Sequence, residues 1–400
     1  MTQAPAPEAV DRRLTADDLG AYLRLRETTF GFPPPDDQLR STLAPRMART
    51  LGAFVGGELA SVVTRHAYRV YVAGLEVAAG GYGAISTAPE HRRAGHVARL
   101  MRRALAEGRA EDQGWNLLYP FDAAFYVRYG WVSVPTGVLL DVPPERLPLG
   151  VRRGLARVDG PAREGLAAAY ARFARGRTFA DTRATGPWDA WEDLDGEPGA
   201  RLLRYAGDGA FLVARLRDAD DGPRLEAVDL GWSDGAGRDA VWGTLAAFRG
   251  HVARVRLHVP WDDPVAADRV RGHAVTGHAG LMARVADVAL AVAPLRAVAD
   301  DDAPLDLPPV ALRVVDGYAA WNDGLWRLTP RPDGTDVERA DGMPADATVD
   351  VRALALLLSG AAGPAELRRC GWAEGDGRAL AVVAALAGGR RPYRSLVDAF

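Results

Sequence analysis
No lysine occurs in this chain: all 49 basic side chains are arginines, set against 52 acidic ones for a formal net charge of -3 at pH 7. That near balance excludes a general attraction to nucleic acid or anionic membranes, and codon usage in a GC-rich genome accounts for the missing lysine. Cysteine is nearly absent too. The single Cys370 excludes an intramolecular disulfide framework, and beside Gly371 and Trp372 it reads as a small core residue rather than a nucleophile. The seven histidines form no ligand-like cluster with acidic residues, so no metal is expected. No apolar run reaches the length of a membrane span, and Met1 to Val10 has neither the basic region nor the apolar core of a secretory leader. Cytoplasmic residence with no membrane partner is the expectation.

What is present is a phosphate-binding signal. A strand-like segment from Tyr82 to Thr87 ends at Pro89 and is followed by Arg92, Arg93 and Gly95. Val97, Leu100, Met101, Ala104 and Leu105 then recur at helical spacing, while Arg99, Arg102 and Arg103 point elsewhere. The first N–H groups of such a helix have no internal partner and attract an anion; Gly95 lets a pyrophosphate approach the backbone, and Arg92 or Arg93 adds charge-assisted hydrogen bonds. An isolated Arg-x-x-Gly would be only a turn. Here strand, proline, basic loop, amphipathic helix and the next apolar segment, Trp115 to Tyr119, follow in the order a CoA loop requires.

At these residues the chain resembles the GNAT acetyltransferases, and more narrowly the enhanced intracellular survival (Eis) family. The resemblance rests on Arg92-Arg93-Ala94-Gly95, on Phe125-Tyr126-Val127-Arg128-Tyr129-Gly130-Trp131, and on an aromatic last residue at a length of 400. It implies an α+β protein of two GNAT-like domains and a C-terminal domain similar to sterol carrier proteins: residues 1–150 catalytic, 151–295 a degenerate copy, 296–400 ending in a catalytic carboxylate. It also implies acetyl-CoA as co-substrate, contacted by Ile85, Ser86, Thr87, Arg92, Arg93, Ala94, Gly95, His96, Val97, Ala98, Phe121 and Asp122. Tyr126 is the implied general acid and the Phe400 carboxylate the implied base. The implied acceptor is a polycationic amine such as an aminoglycoside, the chemistry of antibiotic resistance, or a polyamine, and the implied assembly a homohexamer.

The residues themselves are consistent with three units. A helix starting near Thr15, a hairpin turning at Gly56-Gly57 and a strand from Tyr68 to Val77 precede the basic loop. Strands near Arg201–Tyr205, Ala210–Leu216 and Leu225–Leu230, then Gly235-Ala236-Gly237, a helix from Arg238 to Phe248 and strand Val255–Val259 repeat that layout without the proline and paired arginines. Asp300-Asp301-Asp302 marks a linker. Beyond it Ala311–Val315, Gly324–Leu328 and Ala347–Val351 read as strands, with helices from Arg352 to Leu358 and Ala379 to Leu386.

Three positions depart from the family pattern. Phe121-Asp122 stands where a serine and an acidic residue are expected, Val97 replaces a small loop residue, and Ala84 offers less bulk than an aromatic for sandwiching an acceptor. Glu27, Asp36, Asp37, Asp189, Glu192 and Asp398, with Trp188 and Trp191, are candidates to line an acceptor cleft, although each reads equally as a solvated or packing residue. Two other functions fit the same residues: acetylation of a protein lysine or N-terminus, and a non-enzymatic lipid or CoA carrier.

Overall fold
The computed structural model describes residues 9–31, 43–147, 154–158, 163–183, 201–207, 209–263, 275–278, 280–299, 303–340 and 342–398. Thr15 opens the first helical segment, its N–H donating to Asp18 at 2.7 Å, and α1 (Leu19–Phe30) ends at Gly31 in the left-handed region. Strands β1 (Val10–Arg13), β2 (Thr50–Val55), β3 (Glu58–Val72) and β4 (Leu75–Thr87) form an antiparallel run. Gly56 and Gly57, with φ of 59° and 88°, make the expected tight turn between β2 and β3. The strand expected from Tyr68 to Val77 is interrupted, because Ala73 and Gly74 (φ 50° and 80°) form a second such turn.

Helix α2 (His96–Ala110) buries Leu100, Met101, Ala104 and Leu105 against this sheet. Then follow β5 (Trp115–Leu118), α3 (Ala123–Val127), β6 (Val132–Val134) and β7 (Gly137–Val142). β5 pairs in parallel with β4 only from Ala79 to Tyr82, after which β4 departs. Two residues of β4, Ala84 and Ile85, lie opposite Val63 alone, a bulge in which Ala84 takes φ 48°. Beyond Tyr82, where β5 ends, the last residues of β4, Ile85 to Thr87, form one wall of a cavity.

The next stretch holds β8 (Ala156–Arg157), α4 (Arg163–Arg175), β9 (Arg177–Thr178), β10 (Arg201–Gly207), β11 (Ala210–Arg217), β12 (Arg224–Trp232), α5 (Gly235–Ala246), β13 (Arg254–Val259), β14 (Val275–His278), β15 (Leu281–Val285) and α6 (Val288–Val292). A second seven-stranded sheet runs β14-β7-β13-β12-β11-β10-β8, while the first runs β1-β2-β3-β4-β5-β15-β6. Each sheet therefore borrows a strand from the other half of the chain: β7 passes forward and β15 returns to sit antiparallel between β5 and β6. Cuts at residues 150 and 295 do not separate the two sheets.

The degenerate loop of the second unit carries its own anion. α5 starts three residues before the expected Arg238; the Asp234 carboxylate accepts from the Gly237 N–H at 2.7 Å, and Arg238 is paired with Asp263 at 2.6 Å. Both features that would hold a phosphate are already engaged.

The third unit is a five-stranded sheet, β18-β17-β16-β19-β20, built from β16 (Val310–Val315), β17 (Gly324–Arg331), β18 (Gly334–Arg339), β19 (Ala347–Asp350) and β20 (Ala373–Gly375). Helices α7 (Val351–Ser359), α8 (Pro364–Arg369) and α9 (Gly377–Ala385) cover it. α7 also packs on β15 and β6, so one apolar core runs from the first sheet into this unit. Cys370 is exposed rather than in that core, because it caps the C-terminus of α8, where Leu367 alone is buried. The last strand, β21 (Arg391–Pro392), pairs in parallel with β9. No helix among the described residues is long and apolar enough to cross a membrane.

Candidate active site
The basic loop leaves β4 through a single 3-10 turn at Pro89–His91 and enters α2 with Arg93 and Gly95 both left-handed, at φ 65° and 79°. A loop of this kind at the head of a helix, where the first N–H groups of α2 have no partner within the helix, has the character of an anion nest. A Cβ on Gly95 would meet no atom within 4 Å. Arg92 and Arg93 are exposed and make no ion pair among the described residues, unlike Arg99, which is held by Asp11. His96 is buried, and burial together with the charges of Arg99 and His91 holds its pKa below the usual value, so it faces the loop as a neutral ring.

A cavity of about 990 Å³ opens over this loop. It is lined by Ile85, Ser86, Thr87, Arg92, Arg93, Ala94, Gly95, His96, Val97, Ala98 and Phe121, eleven of the twelve positions expected to contact CoA. Asp122, the twelfth, is not among its walls: its side chain caps α3 by accepting from the Ala124 N–H at 2.9 Å. Phe121 is 68% exposed and packs tilted against Phe125 and edge-on against Tyr126. Thr29 and Phe30 at the end of α1 line the cavity too, with Phe125, Arg128 and Tyr129. The latter three could have been found by their i, i+3, i+4 spacing; Thr29 and Phe30 carry no local signal.

Tyr126 is 2% exposed within this aromatic group, and its hydroxyl makes no hydrogen bond among the described residues. Burial, with smaller contributions from Tyr129 and Asp122, pushes its pKa well above the ordinary phenol value. The side chain is therefore a neutral O–H donor throughout the physiological range. Phe400 lies outside the described residues, as do Asp36, Asp37, Trp188, Asp189, Trp191 and Glu192. Glu27 is exposed on α1, two residues before the cavity wall. Asp398 is neither solvated nor in the cleft: it is 3% exposed and bonded to Arg183 at 2.8 Å.

The third unit supports the site from beneath. Its loop 316–323 carries Tyr318, whose hydroxyl donates to the Ala98 carbonyl in the first turn of α2 and whose ring lies 5.0 Å from that of Tyr129. Arg284 of β15, fully buried, donates to the Tyr129 carbonyl at 2.6 Å and pairs with Asp316 at 2.5 Å.

Residues 11–134 match the acetyltransferase (GNAT) domain and residues 288–395 the sterol carrier protein domain. An uncharacterized N-acetyltransferase of Streptomyces avermitilis is 30% identical over 305 residues, 70% of this chain and 72% of that protein. Another from Streptomyces coelicolor is 29% identical over 310 residues, 70% of this chain and 71% of that protein. The same fold recurs in a GCN5-related N-acetyltransferase from Anabaena variabilis (TM-score 0.81, 17% identity, 98% of this chain and 100% of that one). It recurs as well in Eis1 from Mycobacterium abscessus (TM-score 0.78, 22% identity, 98% and 100%). With the anion nest, the cavity and a relative matched over most of both lengths, this chain belongs to the GNAT N-acetyltransferases and uses acetyl-CoA as co-substrate.

Proposed function
We propose that the enzyme transfers acetyl directly from acetyl-CoA to an amine of a polycationic small molecule, an aminoglycoside or a polyamine, with Tyr126 as general acid and the Phe400 carboxylate as proton acceptor. The observation that carries this reading is a buried phenol whose hydroxyl makes no hydrogen bond among the described residues, packed on Phe121 and Phe125 in the wall of the cavity that also covers the basic loop. Arg92, Arg93 and the N-terminus of α2 bind the pyrophosphate. The Ile85 N–H, in the bulge and beyond the last β4–β5 pair, polarises the thioester carbonyl.

Tyr126 then protonates the departing sulfur. A thiol near 8.5 and a phenol near 10 differ by about 2 kcal/mol in water. The apolar surroundings that raise the phenol also make a nascent thiolate more basic, so the difference does not grow with burial. On the acceptor side, a carboxylate of pKa about 3.5 is some 7 units too weak to deprotonate an alkylammonium near 10.4 beforehand, roughly 9 kcal/mol. The attacking species is the neutral fraction of the amine; forming the C–N bond acidifies its nitrogen, so the carboxylate takes that proton as the bond forms. The acceptor class and the homohexamer follow the family resemblance.

The test is CoA release from acetyl-CoA with aminoglycosides, polyamines and lysine peptides, on the native chain and on one extended beyond Phe400. Turnover on the small polycations that is lost on extension, with acetyl-CoA affinity retained, is the expected result. Higher turnover on peptides overturns the acceptor, and equal turnover in the extended chain removes Phe400 from the chemistry.

A further inference from the structure
Three arginines line the cavity, one more than the basic loop supplies. Among the described residues its charged walls are Arg92, Arg93 and Arg128, beside His91 and His96, and no carboxylate lines it. The chain as a whole carries slightly more acidic than basic side chains, so a wall of one sign is a local arrangement and not a reflection of composition. Other arginines of the first unit are committed to carboxylates: Arg13 and Arg103 to Glu107, Arg65 to Glu111, Arg99 to Asp11. Arg128 has no acidic partner among the described residues.

Arg128 is nonetheless held in place. It follows the last residue of α3, and its Nε donates to the Phe125 carbonyl at 3.1 Å. Its guanidinium lies 4.4 Å from the centre of the Phe125 ring and 5.0 Å from that of Tyr129, and both rings are themselves walls of the cavity. These contacts use Nε and a face of the guanidinium plane. The two terminal nitrogens have no hydrogen-bond partner among the described residues. A guanidinium fixed in this way offers a preorganised fork of donors that matches a phosphate group.

Acetyl-CoA brings two separate anionic groups to such a wall. One is the pyrophosphate, which the basic loop and the first turn of α2 take. The other is the 3′-phosphate of its ribose, a monoester with a charge of roughly −1.5 to −2 at neutral pH. At about 990 Å³ the cavity is at the upper end of the range for cofactor sites, large enough for the nucleotide as well as the pantetheine arm. We propose that Arg128 binds the 3′-phosphate and makes the enzyme select acetyl-CoA over 3′-dephospho-acetyl-CoA. Phe125 and Tyr129 are the residues that position its guanidinium. This rests on the reading of the basic loop as the pyrophosphate site, and it is independent of the acceptor and of the proton acceptor.

The test is calorimetric binding of acetyl-CoA and of 3′-dephospho-acetyl-CoA to the full chain and to its Arg128→Gln, Arg128→Lys and Arg92→Gln variants. The native chain is expected to bind acetyl-CoA about 10- to 100-fold tighter than the dephospho compound, the worth of a charged hydrogen-bonded contact. Arg128→Gln brings that ratio to near unity, Arg128→Lys keeps an intermediate ratio, and Arg92→Gln weakens both ligands by a similar factor. A native ratio near unity overturns the proposal whatever the variants do. So does a native-like ratio in Arg128→Gln, whether both affinities hold or fall together, since an equal loss marks a pyrophosphate contact or a loosened wall. Unchanged binding of both ligands in Arg92→Gln instead removes the pyrophosphate from the loop, and the proposal with it.

Discussion

Tyr126 and Phe121 illustrate how much a single side chain decides here. Replacing Tyr126 with Phe keeps the edge-on contacts to Phe121 and Phe125 and removes only the hydroxyl. A loss of kcat of about 10²- to 10⁴-fold is expected, with acetyl-CoA affinity unchanged, measured by steady-state kinetics beside calorimetric binding. Gly95→Ala acts on the other end of the same cavity. At φ 79° any Cβ is strained, and it would enter the space that the pyrophosphate needs, so KM for acetyl-CoA should rise at least about 10-fold while kcat at saturation changes little.

His66 governs stability rather than catalysis. Burial, reinforced by Arg46 and Arg49, lowers its pKa to about 4 from the usual 6.5. The unfolded chain therefore binds the proton first, and this residue's contribution is present above pH 6.5 and is lost as pH falls from 6.5 toward 4. His66→Gln should flatten that part of the curve of melting temperature against pH; an unchanged slope between pH 4 and 6.5 would count against it.

Among the elements, the loop 316–323 shows why a transferase carries a third unit. Arg284 is fully buried with Asp316 as its ion-pair partner, and burial lowers its pKa against the opposing pull of that carboxylate. Asp316→Ala leaves a buried guanidinium uncompensated and should cost about 3–5 kcal/mol in chemical denaturation. The exposed pair Arg331–Asp336, more than half accessible on both sides, should yield at most about 1 kcal/mol on the same test.

The sequence showed the elements better than their partners. α2 was legible because Val97, Leu100, Met101, Ala104 and Leu105 follow the helical repeat, and its loop because proline, arginines and glycine sit at its start. The Ala73-Gly74 turn was not, since alanine seldom takes positive φ and no breaker pair announces it. Asp398 read as a surface carboxylate because its partner Arg183 stands 215 residues away, a distance that no local pattern spans.

At the scale of the molecule, the exchange of β7 and β15 binds the halves into one folding unit. β15 lies between β5 and β6, pairing with both, and its Leu281, Met282, Ala283 and Val285 are fully buried. A fragment of residues 1–150 would lack this strand and expose the facing edges of β5 and β6 to water, with the apolar side chains that they carry. It would also retain β7 without the sheet in which β7 is registered. Residues 1–295 recover β15 but lose α7, whose Leu354, Leu357 and Leu358 complete the same core.

Neither fragment should fold as a native transferase. Both are expected to show weak tertiary circular dichroism and rapid proteolysis, whereas the whole chain unfolds in a single transition that reports the cavity, the buried Arg183–Asp398 pair and the third unit together. Two resolved transitions in the whole chain, or native-like dispersion in the spectrum of residues 1–150, would mean that the exchanged strands are a late ornament on independently stable domains. One transition means that the basic loop at the head of α2, Tyr126 on α3 and the ionic knot of Arg183, Asp229, Arg394 and Asp398 hold their geometry by a shared core, and that mutations in any of the three units reach the cavity.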